Sequence, residues 1–387
     1  MRSAPSRRPV LILVGAGHAH VEVLRRFAHR PLAGTDLVLV TRAARTPYSG
    51  AVPLVIAGHL PPEAALIDAA GLAARASARL ILASAIGLDA SARTLHLDDG
   101  TRLRFDQMSL DIGSMPDMAA LGRDAAAVIP AKPIDGLLAR IEALSAAMRG
   151  REAPATIAVV GSGPAGVELA FSLDHRFAAG HRRGPPMRIV LAGRSPILLP
   201  GCNADTRRRI ERRLARRGIR HLPGFDAVTC RGDGLRAADG RAVAADAVIW
   251  ATGSAAPGWL AASGLACDAG GFVLVDETLR SRSHPSVFAA GDIAALATPR
   301  PKAGVFAVRA GPVLAQNLRR EAGGQALRSY RPQARWLNLI STGERHAVAD
   351  RGPLSLEGGW VWQWKRWIDV LFVRRYARGA GIDQDQV

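Results

Sequence analysis

The chain has 387 residues, 48% of them apolar, with 51 basic against 33 acidic side chains and a formal net charge of +18. That length admits two or three domains with sizeable cores, and the apolar content excludes a disordered chain. No basic stretch is interleaved with aromatics as nucleic-acid binding would require, so the charge reads as solvated faces, with attraction to phosphate or anionic lipid as the second reading.

Arg7 and Arg8 precede the apolar run 10–14, an outline shared with signal peptides. The run is too short for one and ends in Gly15-Ala16-Gly17-His18, so it predicts a first strand buried on both faces of a parallel sheet. Residues 21–28 follow as a helix with Val21, Leu24 and Phe27 on one face, and 35–40 as the next strand, completing a βαβ unit. The pattern recurs: a strand over 156–160, the turn Gly161-Ser162-Gly163-Pro164-Ala165-Gly166, a helix from 167, and a strand over 187–191. Between these units, Asp98-Asp99-Gly100-Thr101 and Ala238-Asp239-Gly240-Arg241 punctuate alternating segments of antiparallel crossover sheets. A strand over 247–250 runs into Ala251-Thr252-Gly253, and another over 286–290 into Gly291-Asp292. From Arg331 the composition shifts, with Trp360, Trp362, Trp364 and Trp367 close together.

A glycine turn between a buried strand and a helix holds a pyrophosphate. Its first Gly makes the turn, its second lets backbone amides approach the phosphates, and the helix N-terminus adds partial positive charge. The second unit fills all three positions with Gly161, Gly163 and Gly166, and is assigned to NAD(P)H. The first has Gly15 and Gly17 but His20 in third place, and Thr41-Arg42 where an acidic residue is expected. Gly291-Asp292 strengthens its assignment to FAD, because flavoproteins use such an Asp to accept hydrogen bonds from the ribityl chain; a plain helix cap is the alternative. Gly253 closes the nucleotide unit. Arg194, after the second strand of the NAD(P)H unit, stands where an acid would select NAD, so it suits a 2′-phosphate. Lys132, Lys302 and Lys365 are the only lysines. The first two suggest places where a compact ammonium is needed, with an ordinary surface lysine as the alternative. Glu168 either orients the nicotinamide as a catalytic residue or simply favours the first turn of its helix. His18 either contacts phosphate or packs as a neutral structural imidazole.

Cys202, Cys230 and Cys267 form no CxxC pair, which excludes a redox dithiol and suits a reducing cytoplasm. Cys202 is either redox-active or inert. No metal cluster is expected. Residues 207–221 carry seven arginines before Gly218 on a predicted helix, read as a solvated face or a phosphate patch.

These segments together resemble the two-dinucleotide-binding-domain flavoproteins, which include type II NADH dehydrogenases and sulfide:quinone reductases. Within that group the chain is similar to the oxidoreductase module fused ahead of selenide, water dikinase (selenophosphate synthetase). The resemblance is carried by Gly15-Ala16-Gly17-His18-Ala19-His20, Thr46-Pro47-Tyr48-Ser49-Gly50, Ser109-Leu110-Asp111-Ile112-Gly113-Ser114, Lys132-Pro133-Ile134-Asp135, Pro301-Lys302-Ala303-Gly304-Val305, and the segment 362–369. It departs at Ala51 and Leu54, and Arg309-Ala310 replace a Gln-rich segment of type II NADH dehydrogenases.

The resemblance implies an α/β fold with two Rossmann-like domains, parallel sheets, antiparallel crossover sheets and a C-terminal region. The expected division is FAD-binding over 8–118 and 254–330, NAD(P)-binding over 119–253, and an interface or membrane-associating region over 331–387. It also makes His18, His20, Tyr48, Lys132, Lys302 and Gly304 FAD-site residues, with Lys132 and Glu168 catalytic. The expected activity is hydride transfer from NAD(P)H to flavin and then reduction of an acceptor. That acceptor is a quinone, another small molecule, or a selenium species handled with selenophosphate synthetase. A low-turnover redox-sensing module is the remaining alternative. Read as a helix, 358–378 puts Trp360, Trp364, Trp367, Ile368, Leu371 and Phe372 on one broad face, with Lys365, Arg366 and Arg374 off it. That face either packs on the FAD domain or a second subunit, as a lid, or docks on the cytoplasmic face of a membrane.

Overall fold

The computed structural model describes residues 7–118, 121, 128–148, 153–180, 187–232 and 234–377. Two five-stranded parallel sheets organise them. In the first, Val287–Ala289, Gln107–Leu110, Val10–Val14, Asp36–Thr41 and Arg79–Leu82 lie in that order. In the second the order is Ile129–Pro130, Ala247–Trp250, Ala155–Val160, Met187–Gly193 and Arg220–Pro223. The chain leaves the first sheet after Leu110, builds the second, and returns at Val287.

The central strands Val10–Val14 and Ala155–Val160 are apolar at every fully buried position because both of their faces are covered, with Thr156 only partly buried. Leu11 and Leu13 pack towards the helices His18–His29, Ala69–Arg75 and Gly304–Ala322, while Ile12 and Val14 pack with Leu88, Leu95 and Leu97 of an antiparallel sheet on the other side. The second unit repeats this: Ile157 and Val159 join the helical core, while Ala158 and Val160 meet Phe225, Cys230 and Leu235. The two-residue period of a strand sends alternate side chains to different layers. The covering sheets are Ala85–Asp89 with Thr94–Leu97 and Arg102–Arg104, and Ala227–Arg231 with Gly234–Ala237 and Ala242–Val243. Their hairpins turn at Gly100 and Gly240 as the turn signals predict.

The C-terminal region is an antiparallel sheet, Asn338–Ser341, Ala347–Arg351 and Leu354–Gly358, followed by the helix Gly359–Ala377. Val361 and Trp362 pack with Ala51, Leu54 and Val55, and Val373 and Tyr376 enter the core of the first sheet. The arginine-rich helix Ala204–Arg216 pairs with this region: Arg209 with Glu357, and Arg213 with Glu344 at 3.3 Å. Beyond its end, Arg217 bridges Asp174 at 2.6 Å and Glu344 at 2.8 Å. Much of the cluster is therefore an ion-paired seam. Among the described residues no helix is long and apolar enough to cross a membrane.

Candidate functional site

The first glycine turn is built around a residue the motif reading passed over. Asp111 follows the strand Gln107–Leu110, and its Oδ2 accepts the amides of Ala19 at 2.8 Å and His20 at 2.9 Å. It thereby satisfies two of the free donors at the helix N-terminus. A Cβ at Gly17 would lie 2.4 Å from this carboxyl group, and one at Gly291 would lie 2.5 Å from its Oδ1. Both glycines are thus needed to house Asp111, which joins the turn to the Gly291-Asp292 segment. Burial drives the Asp111 carboxyl up to about 7, against the two amide bonds that favour its charged form. The signal in the sequence was an acid at the end of an apolar strand.

His20 is fully buried, with Nδ1 2.6 Å from the Gly15 carbonyl and Nε2 2.8 Å from Ser109 Oγ. Both ring nitrogens serve the turn, so the imidazole braces the loop. The amides of Ala16 and His18 find no acceptor among the described residues, so they remain for a ligand's phosphates. This donor set fits a dinucleotide.

Several expected residues come together beside the turn. His18 meets Tyr48 edge-on at 5.3 Å and Phe372 at 5.8 Å, and Tyr48 stacks on Phe372 at 4.3 Å. A Cβ on Gly304 would lie 3.2 Å from His18 Nδ1. Burial lowers His18 to about 4, with Asp292 opposing and Lys132 reinforcing, so its ring is neutral at pH 7. Lys132 Nζ donates to Asp292 at 2.7 Å and to Ser114 Oγ at 2.9 Å. Lys132 and Asp292, distant in sequence, thus form one polar point facing His18. Lys302 feels the charges of both members of that pair, while it sits 3.8 Å over the Phe272 ring and donates to the Ala294 carbonyl at 2.7 Å. Its contacts are those of a supporting residue.

In the second unit, a Cβ on Gly166 would approach the Gly161 carbonyl oxygen to 1.8 Å, while one on Gly163 would meet nothing within 4 Å. Gly166 is fixed by packing, and Gly163 leaves the cradle open for a ligand. Arg194 is exposed after the strand Met187–Gly193. Gly253 lies at the crossover between the sheets, where Met115 pairs with Ala255 and Trp250 Nε1 donates to the Asp117 carbonyl at 2.8 Å.

Glu168, expected to orient the nicotinamide, is held by the C-terminal region. Its Oε1 accepts the Ser341 amide at 2.9 Å and lies 3.6 Å from Lys365 Nζ. Lys365 is buried, donates to the Gly50 carbonyl at 2.9 Å and pairs with Asp369 at 3.1 Å. The Asp369 carboxyl in turn lies close enough to the Tyr48 hydroxyl to raise it from its ordinary value. Burial raises the Glu168 and Asp369 carboxyls; it opposes the Lys365 ammonium, which the two acids nevertheless hold above its ordinary value. Glu168, Lys365, Asp369 and Tyr48 thus form a buried ionisable chain from the second unit to the aromatic contact with His18. Lys365 and Asp369 escaped the sequence reading, although the rarity of lysine that singled out Lys132 applies equally to Lys365.

The cysteines do not act here. Cys202 and Cys230 are buried and Cys267 is half-buried, and burial pushes the Cys202 thiol up to about 12, which makes it inert.

Comparison with known proteins agrees with this organisation. A NADH dehydrogenase-like protein of Mycobacterium tuberculosis is 29% identical over 225 residues, which are 56% of this chain and 55% of that protein. The chain thus spans little more than half that relative's length. The type II NADH:quinone oxidoreductase NdhA of the same species is 25% identical over 323 residues, 75% of this chain and 67% of that protein. Among solved structures, the sulfide:quinone oxidoreductase of Aquifex aeolicus superposes with a TM-score of 0.78 at 17% identity, covering 95% of this chain and 91% of that one. The family model described as pyridine nucleotide-disulphide oxidoreductase matches residues 9–322. With two glycine turns that suit FAD and NAD(P)H on two parallel sheets, the chain belongs to the pyridine nucleotide-disulphide oxidoreductase family of enzymes.

Proposed function

We propose that this chain oxidises NAD(P)H and reduces a quinone-type acceptor at a membrane surface. The observation that carries the reading is the buried chain Glu168–Lys365–Asp369–Tyr48, which ends beside His18. Reduction of a quinone consumes two electrons and two protons, and two acids held towards their protonated form beside a buried lysine are suited to supply protons. When bound, FAD supplies the electron-relay chemistry between the nicotinamide and the acceptor. The open amides of Ala16 and His18 would hold its phosphates, and Asp292, oriented by Lys132, its ribityl chain. The second turn, with Gly161 and Gly163, would seat the pyridine nucleotide, and Arg194 would accept a 2′-phosphate. With the cysteines separated and Cys202 buried as an inert thiol, the route to the acceptor has no dithiol relay.

The C-terminal helix supports the membrane part of the proposal. Lys365, Asp369, Val373 and Tyr376 face inwards, while Trp360, Trp367 and Leu371 are 56%, 62% and 49% exposed, alongside exposed Arg366 and Arg374. Tryptophan with arginine suits a lipid headgroup interface, and pairing with a second copy is the competing use of this face.

The test is anaerobic stopped-flow reduction of the purified flavoprotein by NADPH and NADH, followed by mixing with a short-chain quinone or with selenite. We expect NAD(P)H to bleach the flavin and the quinone to restore its colour faster than selenite does. Failure to bleach, or reoxidation by the selenium compound alone, overturns the proposal.

A further inference from the structure

We infer that this protein carries a second anion site, for a polyphosphate group, at the far ends of the two helices that begin beside His18. The helices His18–His29 and Gly304–Ala322 start together, where a Gly304 Cβ would touch His18, and their C-terminal ends frame a cavity of about 630 Å³. The shorter helix alone spans about 18 Å, so the cavity is separate from the glycine turn. Arg30, Arg319, Arg320 and Arg328 line it, together with Gln316 and Gln325, and among the described residues no Asp or Glu does.

These arginines differ from the ion-paired ones of the 204–217 seam. Arg319 donates to the backbone carbonyls of Pro31 and Arg30, Arg320 to that of Ala326, and Arg328 to Gln316 Oε1 at 3.2 Å. Neutral acceptors orient a guanidinium without cancelling its charge. The nearby acid, Glu321, is already paired with Arg280 at 3.2 Å. Burial and the like charge of Arg30 both depress Arg319 from its ordinary value, as expected where positive charge is crowded.

The ordinary use of arginine at a helix C-terminus is to balance the macrodipole. Two C-termini offer roughly half a negative charge each, about one in all. Four arginines exceed that by about three charges. A group bearing three or four negative charges matches the excess, and the planar forks of arginine suit phosphate oxygens bidentately. The volume accommodates a nucleotide-sized molecule, and the two glutamines add neutral donors and acceptors for its uncharged part. The phosphates can belong to a soluble metabolite or to a phosphorylated lipid headgroup, which share this chemistry.

The experiment uses the FAD-loaded protein, whose flavin absorbance reports that each variant is folded. Tripolyphosphate is titrated calorimetrically at low ionic strength into wild type, Arg30→Gln, Arg328→Gln, the double variant and Arg194→Ala. Arg30 and Arg328 are exposed, and their side chains make no backbone tie of the kind that holds Arg319. We expect a binding component weakened roughly tenfold or more for each of these arginines removed and retained in Arg194→Ala, which can weaken only tripolyphosphate held in the pyridine-nucleotide cradle. In parallel, phosphatidylcholine vesicles carrying phosphatidylinositol bisphosphate are compared with vesicles matched in charge by phosphatidylserine. Selective capture by the former, lost in the double variant, assigns the site to a lipid headgroup; tripolyphosphate binding without capture assigns it to a soluble ligand. Absence of binding to either probe, binding unchanged in the double variant, or equal capture by both vesicle types overturns the inference.

Discussion

Replacing Asp111 with Asn tests whether the first turn is organised around a carboxyl group whose charge is costly in the fold. The side chain is buried, its folded value is about 7, and an unfolded Asp titrates near 3.8. Because the folded value is the higher one, the folded state binds the proton more tightly. The associated stability is therefore fully present below pH 4 and is lost as pH rises through 7. A difference of about three pK units, at 1.36 kcal/mol each, makes this loss about 4 kcal/mol. Asparagine keeps a carbonyl oxygen for the amides of Ala19 and His20 and removes the titration. The assay is a series of urea melts, read by tryptophan fluorescence, for both proteins between pH 4 and 8.5. Other carboxylates contribute to both curves and cancel in the difference. The stability of wild type relative to Asp111→Asn should fall by about 4 kcal/mol over that range. Parallel pH profiles would refute the reasoning and mean that the two amide bonds outweigh burial.

Three further outcomes follow from the site. Lys365→Met leaves Glu168 and Asp369 buried without their cation, so unfolding free energy should drop by about 3–5 kcal/mol, measured by the same melts; an unchanged midpoint would show that both acids are protonated in the fold. Arg194→Ala should raise the KM for NADPH about tenfold while leaving that for NADH within a factor of two, since a charge-assisted bond to the 2′-phosphate is worth about 1.5 kcal/mol or more; equal effects on both cofactors would remove Arg194 from the 2′ position. Replacing Trp367 and Leu371 together with Glu should abolish co-sedimentation with anionic vesicles while flavin content holds, because both side chains are exposed. If flavin is lost instead, the helix is a structural lid.

What could be read from the sequence was what the backbone demands locally. A strand buried on both faces must be apolar at every position, and a turn that admits phosphates must be glycine, so residues 10–17 and 155–166 announced themselves. The hairpin glycines did so for the same reason. His20 could be placed in the third glycine position from the sequence, but the direction of its ring is decided by Ser109 on a neighbouring strand. Glu168 is a parallel case: its place after the second turn is local, but its partners Ser341 and Lys365 arrive from the C-terminal region. The amphipathic pattern of the last helix marked an apolar face without telling which side is covered. The fold places Lys365 inside because the Gly50 carbonyl, Glu168 and Asp369 wait there for its ammonium, and leaves Trp360 and Trp367 outside. Asp111 acquires its meaning from amides 91 and 92 positions away and from Gly291 beyond them. A sequence pattern specifies what one segment needs from its own backbone; a buried charge is specified by what other segments bring to it, and only the closed tertiary structure settles that.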